Sequence, residues 1–162
     1  MRRIAFGLAI VFVSVPLLAQ AASTFAFRLR IDGMTGDLGA GTAFFKSCTG
    51  LESTTEVVEC REGGESGTIR KIPGTLRYGN ITLKRGITAD NSLALWRGLL
   101  EDGHFDQARR SGTIVLVDKA NREIARWNLV NAWPARLSIE ADETSGDPQE
   151  IMVIAVDASR RP

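Results

Sequence analysis

The amino-acid sequence predicts a mainly β protein: a small β-barrel or sandwich with one packed α-helix and a projecting charged loop or hairpin. Three observations predict this class. Many short runs alternate apolar and polar residues with the period of two that is typical of half-buried strands. Only one segment repeats its apolar residues at helical spacing. Between these elements, a glycine-rich, strongly charged stretch carries few residues that suit a core.

The predicted strands are spread along the chain. They cover residues 25–31, 42–48, 55–60, 81–84, 113–117, 122–129, 135–139 and 150–156. Residues 150–156 are apolar on both faces, which favours a strand covered on both sides. Four glycines within residues 33–41 predict a turn or mobile loop, and residues 118–121 predict a hairpin turn.

The one helical segment contains Leu93, Trp96 and neighbouring leucines on a single apolar face. Thr88 or Asp90 is suited to cap its start, and a glycine follows its end. The pattern predicts a helix near residues 91–102. Many short strands with one helix favour a barrel or sandwich on which that helix packs.

Composition excludes several classes of function. The chain has 162 residues, of which 44% are hydrophobic and 24% charged, so its bulk is not intrinsically disordered. Twenty basic and nineteen acidic residues give a net charge of +1, which argues against a dedicated nucleic-acid binder. With one histidine and two cysteines, we predict no metal site and no cofactor. No flanking pattern supplies His104 with a catalytic partner, so no catalytic residue is predicted.

The first 21 residues have the pattern of a signal peptide. Two arginines precede an apolar run over residues 4–18, and small residues follow it. We expect cleavage between Ala21 and Ala22, which leaves a single domain over residues 22–162 and exports it to the periplasm or the cell exterior. The alternative is an uncleaved membrane anchor, although the run is shorter than a spanning helix requires. After cleavage, no association with a membrane is expected.

The charged stretch lies between residues 61 and 77. Its glycines and its Pro73 predict a long exposed loop or a projecting hairpin. Two interpretations of this segment remain open: it is ordered by a partner, or it is a loop exposed to solvent. The charged residues are Arg61, Glu62, Glu65, Arg70, Lys71 and Arg77.

The two cysteines, Cys48 and Cys60, are twelve positions apart. If residues 42–48 and 55–60 formed an antiparallel hairpin, these cysteines would lie opposite each other and a disulfide would close a small loop. The alternative is two separate small core residues. Both interpretations remain open at the level of sequence.

Several stretches of the chain resemble the phage tail tube family, in the version shared by contractile injection systems and the Hcp-like tube fold. They are Gly50-Leu-Glu52, Val57-Val-Glu-Cys-Arg-Glu-Gly-Gly64, Arg70-Lys-Ile-Pro-Gly74, Tyr78-Gly-Asn-Ile-Thr-Leu-Lys-Arg-Gly86, Gly112-Thr-Ile-Val-Leu116, Ala125-Arg-Trp127 and Asn131-Ala-Trp-Pro134. Their order and spacing also match, and the resemblance spans about residues 25–158.

This resemblance implies a non-catalytic assembly protein. Tube proteins of the family fold as a small β-barrel with a flanking helix, and six copies form rings that stack into a hollow tube. The segment that matches residues 61–77 contacts neighbouring rings in that family, so its six charged residues are candidate contacts. The implied partners are further copies of the chain and, in addition, sheath, baseplate or spike proteins. We hypothesise that strand edges pair between subunits.

Two departures from the family leave alternatives open. The signal-peptide pattern is unexpected in proteins that assemble in the cytosol, and Cys60 stands where an aromatic residue is usual. An exported tube-fold module that acts alone as a binding protein is therefore the second hypothesis. An exported small enzyme is the third, and only the export signal favours it.

Overall fold

The computed structural model describes residues 25–60 and 69–162, in which ten strands and three helices are assigned. The strands are β1 (Phe25–Ile31), β2 (Ala43–Phe45), β3 (Ser47–Thr49), β4 (Ser53–Cys60), β5 (Arg70–Tyr78), β6 (Ile81–Gly86), β7 (Arg110–Asp118), β8 (Glu123–Ala141), β9 (Pro148–Ala155) and β10 (Ala158–Arg160). The helices are α1 (Gly36–Ala40), α2 (Ser92–Glu101) and α3 (Phe105–Ala108). The predicted fold class, mainly β with few helices, is confirmed.

Eight of these strands form one antiparallel sheet. Its order is β2-β1-β7-β8-β9-β6-β3, and β10 pairs with β8. The first and last strands of this path, β2 and β3, are consecutive in the chain and are separated only by Lys46. The backbone N–H of Lys46 donates to the carbonyl oxygen of Lys84 in β6 at 2.8 Å. The sheet therefore closes on itself as a barrel, because β2 and β3 are two halves of one bent strand.

Two strand predictions differ from this arrangement. Residues 42–48 do not form one strand, because the chain leaves β1 and joins β6 at Lys46. Residues 122–129 and 135–139 belong to a single strand of 19 residues, β8, which pairs with β7 in its first part and with β9 in its second. Proline has no backbone N–H to donate to the sheet ladder. The pairing of β8 with β9 shifts its register next to Pro134, and β8 continues beyond this proline.

The core fills the barrel and the space beneath the helices. It consists of Leu29, Ile31, Leu38, Ala43, Phe45, Ile81, Leu83, Leu93, Trp96, Ile114, Leu129, Ala132, Met152 and Ile154. Apart from Leu38, which lies in α1, these residues come from the inward-facing positions of the strands and from the apolar face of α2, as the period-two and helical patterns require.

The helix predicted near residues 91–102 is confirmed as α2. The backbone N–H of Ser92 donates to the carboxylate of Asp90 at 3.3 Å, so Asp90 satisfies one of the free donors at the helix start. Trp96 is fully buried, and its indole N–H donates to the carbonyl oxygen of Ala108 at 2.8 Å. The glycine-rich segment predicted as a turn or mobile loop contains the short helix α1, which Leu38 anchors in the core.

Candidate assembly surfaces

Strands β4 and β5 form a two-stranded hairpin that is separate from the barrel sheet; we refer to these two strands as the arm. All residues of β4 before Cys60 are exposed, as are all residues of β5 before Tyr78. A lone hairpin without a covered face is only marginally stable in water. The arm is therefore expected to gain stability from contact with a partner.

The arm exposes apolar side chains on both of its faces. Val58 lies opposite Ile72 in the register on one face. A register shift between Thr55 and Val57 separates this pair from Leu76, which lies opposite Thr55 and shares the other face with Val57. The side chains of Val57, Val58, Ile72 and Leu76 are 62%, 38%, 47% and 52% exposed, respectively.

Both faces of the arm also carry charged residues. Glu59 lies opposite Lys71 on the face of Val57, and Arg77 lies opposite Thr54 on the face of Val58. Oppositely charged residues that face each other across two strands stabilise the pairing by a fraction of a kcal/mol, about 0.2–1. Each face of the arm therefore combines apolar and charged groups.

Both ends of the arm meet at one rim of the barrel. Gly50 precedes β4 with a φ of +84°, and a Cβ at this position would lie 1.9 Å from the carbonyl oxygen of Asn80, which follows β5. Only glycine is compatible with this close approach. The backbone N–H of Gly79 donates to the carbonyl oxygen of Glu52 at 3.1 Å. These contacts fix the direction in which the arm leaves the barrel.

The structure describes three of the six charged residues that the sequence nominated for contacts between rings. Arg70, Lys71 and Arg77 lie on β5 of the arm and are exposed. Arg61, Glu62 and Glu65 lie outside the described residues. Residues 70–77 therefore form part of one strand of a hairpin, whose other strand is β4; a projecting hairpin was one of the two predicted forms of this segment. Its role in ring contacts stays a prediction.

The two cysteines are free, and the strand pairing on which a bridge depended is wrong. Cys48 lies in β3, which pairs with β6, whereas Cys60 ends β4, which pairs with β5. Burial raises the pKa of the Cys48 thiol to about 12, because a buried thiolate loses its hydration. Cys48 therefore remains protonated and behaves as a small core residue.

His104 occupies the position before α3 and is exposed. It lies beside Phe105, Asp106 and Gln107 in an open cleft of about 250 Å³. Within residues 25–60 and 69–162, no three His, Cys, Asp or Glu side chains converge in a way that could hold a metal ion. In the same part of the chain, no helix is long and apolar enough to cross a membrane.

A buried ion pair joins β6 to β9, and it is absent from the sequence predictions. Arg85 is 2% exposed, and its Nε donates to the carboxylate of Glu150 at 2.7 Å. Its guanidinium also donates to the carbonyl oxygen of Asp90 at 3.3 Å and lies 5.6 Å from the centre of the Phe45 ring. The period-two pattern contains the signal for this burial, because Arg85 follows Ile81 and Leu83 on the same face.

The carboxylate of Asp90 connects this pair to the helices. Burial disfavours its charged form, but the Ser92 hydroxyl, the backbone N–H groups of Asp37 and Ser92, and the Arg85 charge outweigh that effect. The pKa of Asp90 is consequently lower than its ordinary value. Asp90 thus stays ionised while it holds α1, α2 and β6 together.

An apolar cleft of about 280 Å³ opens beside β2. Ala26, Phe44, Phe45 and Ile87 supply most of its apolar lining, and Lys46 lies at its rim. Phe44 and Ile87 are 44% and 52% exposed. We call this surface the β2 cleft. Within residues 25–60 and 69–162, nothing covers this apolar surface of the barrel, which is distinct from the arm.

Comparison with known proteins places the chain in a family. A family model described as T4-like virus tail tube protein gp19 matches residues 23–155. No curated protein matches the chain.

Among solved structures, a chain of the sheath–tube complex of PVC, an extracellular contractile injection system in its extended state, is 24% identical with a TM-score of 0.65. That match covers 90% of this chain and 93% of the other. A chain of the six-fold symmetrised baseplate of the anti-feeding prophage is 19% identical with a TM-score of 0.64, and the match covers 92% and 97% of the two chains. A chain of the cap that terminates the tube of the anti-feeding prophage is 22% identical with a TM-score of 0.60, covering 99% and 95%.

These three structures share the fold of the chain, and the family model covers most of its length. The family is one of structural tail tube proteins. The chain belongs to the tail tube family of the T4-like virus protein gp19.

Proposed function

We propose that this protein is the tube subunit of a phage-like contractile injection system and that its copies form rings that stack into a hollow tube. The observation that carries this proposal is the arm. Val57, Val58, Ile72 and Leu76 expose apolar side chains on a hairpin that is separate from the sheet of the barrel. Family membership supplies the type of assembly.

The energetics of the arm favour contact with another copy. Exposed apolar area that is covered on association contributes about 25 cal/mol per Å², and a two-stranded hairpin gains stability only when one face is covered. The arm leaves one rim of the barrel, so it is suited to reach a neighbouring molecule. A contact between two different surfaces of identical subunits propagates into rings or filaments.

The charges of the arm are suited to set the register of that contact. Lys71 faces Glu59 within the hairpin, and Arg70 and Arg77 add positive charge along β5. Charged groups at the rim of an interface select the correct partner and orientation more than they add affinity. Arg70, Lys71 and Arg77 are therefore our candidates for contacts between rings, together with Arg61, Glu62 and Glu65.

We also propose that six copies form each ring and that sheath and baseplate proteins are the partners of the tube. Two similar structures support these features: one comes from a sheath–tube complex, and the other from a baseplate with six-fold symmetry imposed.

Charge reversal on the arm tests this function. We expect the double variant Arg70→Glu/Lys71→Glu to remain folded as a monomer but to form no tubes in negative-stain electron microscopy. The matched control is Arg109→Glu/Lys119→Glu, which changes the net charge equally at exposed positions away from the arm. Unaltered tubes from the arm variant, with an unchanged thermal melt, would refute the role of the arm.

We further propose that the chain is exported, on the strength of the signal-peptide pattern in residues 1–21. Mass spectrometry of the protein from fractionated cells is expected to find a mature N-terminus at Ala22 in the periplasmic or extracellular fraction. An intact N-terminus in the cytosol would contradict export and leave the tube function unaffected. Export also favours a second candidate function, in which the protein is a tube-fold module that acts alone as a binding protein. In that case, electron microscopy would show only monomers.

A further inference from the structure

We infer that a pocket on the outer face of the barrel binds a carboxylate group that an acidic side chain of another protein supplies. Arg28, Arg30 and Arg126 surround this pocket, and we call it the arginine pocket. No contact between copies of this chain enters the inference, so it goes beyond the proposed function. The placement and the charge balance of the three arginines carry it.

The pairing of three strands brings the arginines together. Arg28 of β1 lies opposite Val115 of β7, which in turn lies opposite Arg126 of β8. Arg30 follows two positions further along β1, so its side chain is on the same face of the sheet as Arg28. Three long cationic side chains therefore share one small area of three adjacent strands.

This area lies on the outside of the barrel. Ile114 is a fully buried core residue, and neighbouring side chains of a strand point to opposite faces, so Val115 points outward. Val115 is nevertheless only 3% exposed, because the arginine stems around it cover it. Gly41 forms one wall, since a Cβ atom added there would lie 3.4 Å from the Cβ of Arg30. The pocket has a volume of about 180 Å³, and every charged residue that lines it is an arginine.

Two of the arginines already have acidic neighbours. Arg126 donates to the carboxylate of Glu123 through its Nε at 2.9 Å and through a terminal nitrogen at 2.6 Å. The Nε of Arg30 lies 3.9 Å from the carboxylate of Asp32, and both side chains are more than half exposed, so water screens this attraction. Since a guanidinium has five N–H donors, each arginine keeps some for a ligand.

Arg28 has no such neighbour among the described residues. Its guanidinium forms no hydrogen bond and no ion pair with them, although the residue is half-buried. The pKa of Glu123 lies below its ordinary value mainly because Arg126 donates hydrogen bonds to it, and the charge of Arg28 adds to this effect. Arg28 therefore acts on Glu123 without contacting it, and its own donors are available to a ligand.

The charge balance favours a carboxylate over a phosphate group. Three arginines with two acidic neighbours leave one positive charge of the pocket uncompensated. A carboxylate carries one negative charge, whereas a phosphate group carries about 1.5 to 2 at pH 7. A guanidinium also binds a carboxylate through two parallel N–H···O bonds, which fixes its orientation. Because the pocket lies on the outer face of the barrel, an acidic side chain of a partner can reach it.

Chemical protection of Arg28 tests the site in the full-length protein. Phenylglyoxal modifies accessible arginine side chains, and peptide mass spectrometry measures the rate at each position. The ligand is the peptide Gly-Gly-Glu-Gly-Gly with blocked ends. We expect about 10 mM of it to slow the modification of Arg28 by about twofold or more. Arg136, an exposed arginine in the part of β8 that pairs with β9, should react at an unchanged rate.

Variants provide an independent test through the fluorescence anisotropy of the same peptide carrying an uncharged dye. Arg28→Gln should weaken binding by about tenfold, because it removes the guanidinium that has no other partner. Glu123→Gln should strengthen binding by about threefold, because it removes a competing carboxylate. The matched control, Arg136→Gln, should bind as the wild type does. Thermal melts confirm that all three variants are folded.

Four results would overturn the inference. The first is equal binding of the glutamate peptide and the same peptide with glutamine. The second is unchanged affinity in a folded Arg28→Gln variant. The third is tighter binding of inorganic phosphate, or of acetate, than of the peptide. The fourth is an Arg28 that resists phenylglyoxal in assembled protein without peptide, because another copy then fills the pocket.

These outcomes are separate from those of the proposed function. Loss of peptide binding in a protein that still forms tubes overturns the carboxylate site alone. A protein that binds the peptide but forms no tubes overturns the tube function alone.

Discussion

The guanidinium of Arg85 lies 2.7 Å from the carboxylate of Glu150, directly across the β6–β9 pair, and is almost fully buried. The ion pair sits at the end of the barrel where β6 leads towards α2, and Asp90 lies 3.8 Å from the same guanidinium. A buried charge that loses its partner is costly, because the remaining charge cannot recover its hydration. The barrel and the helix layer therefore depend on this pair being complete.

Removal of Arg85 should destabilise the monomer strongly. We expect Arg85→Met to lower the free energy of unfolding by about 3 kcal/mol, since it leaves the largely buried carboxylate of Glu150 without its partner. The matched control is Arg136→Met, which removes an exposed ion pair with Glu140 and should cost at most about 1 kcal/mol. Urea denaturation measures both. Equal losses in the two variants would contradict the structural role of Arg85.

Asp90 should make stability depend on pH. Its pKa in the folded state lies below the ordinary value of 3.8, so its contribution is present above about pH 4 and is lost as the pH falls through the folded-state value. Asp90→Asn should cost about 1 kcal/mol at neutral pH and much less near about pH 2. Urea unfolding of both proteins at the two pH values measures this. A cost that does not shrink in acid would show that the charge of Asp90 is unimportant.

Two of the tryptophans, Trp96 and Trp127, should differ in their effect on stability. Trp96 is fully buried, so Trp96→Ala is expected to cost about 3–5 kcal/mol. Trp96→Phe should still cost about 1–3 kcal/mol, because it leaves the buried carbonyl of Ala108 without its donor. Trp127 is only partly buried, and Trp127→Ala should cost less than Trp96→Ala. Thermal melts that rank Trp127 above Trp96 would contradict the packing.

The two thiols should react at different rates. Cys48 packs against the core with a pKa raised to about 12, whereas Cys60 ends an exposed strand of the arm. We expect iodoacetamide to modify Cys60 in the native protein and to modify Cys48 only after unfolding. Peptide mass spectrometry measures both sites. A peptide pair in which Cys48 and Cys60 are joined by a disulfide would contradict the strand pairing.

Local patterns predicted the elements whose signals lie within a few neighbouring residues. Strand β1 and helix α2 follow from their apolar periods. The turn between β7 and β8 follows from its sequence: the carboxylate of Asp118 accepts backbone N–H groups from Ala120 and Arg122, and Asn121 has a positive φ of 58°. These features need no information about distant parts of the chain.

Features that depend on pairing between distant segments could not be predicted in this way. The bend at Lys46 exists because β2 and β3 have different partners, and that choice is invisible in residues 42–48 alone. The same uncertainty in register led to the hypothetical bridge between Cys48 and Cys60. Arg85 is the intermediate case, since its period-two position marks it as inward-facing but only the register to Glu150 explains how its charge is tolerated.

The most direct test of a function based on repeated self-contact is sedimentation velocity of the protein purified from cells, over a series of concentrations. The account predicts rapidly sedimenting species that grow with concentration and that appear as rings or tubes in electron micrographs. It also predicts that Arg70→Glu/Lys71→Glu sediments as a folded monomer at every concentration. A wild-type protein that remains monomeric throughout the series would contradict the account.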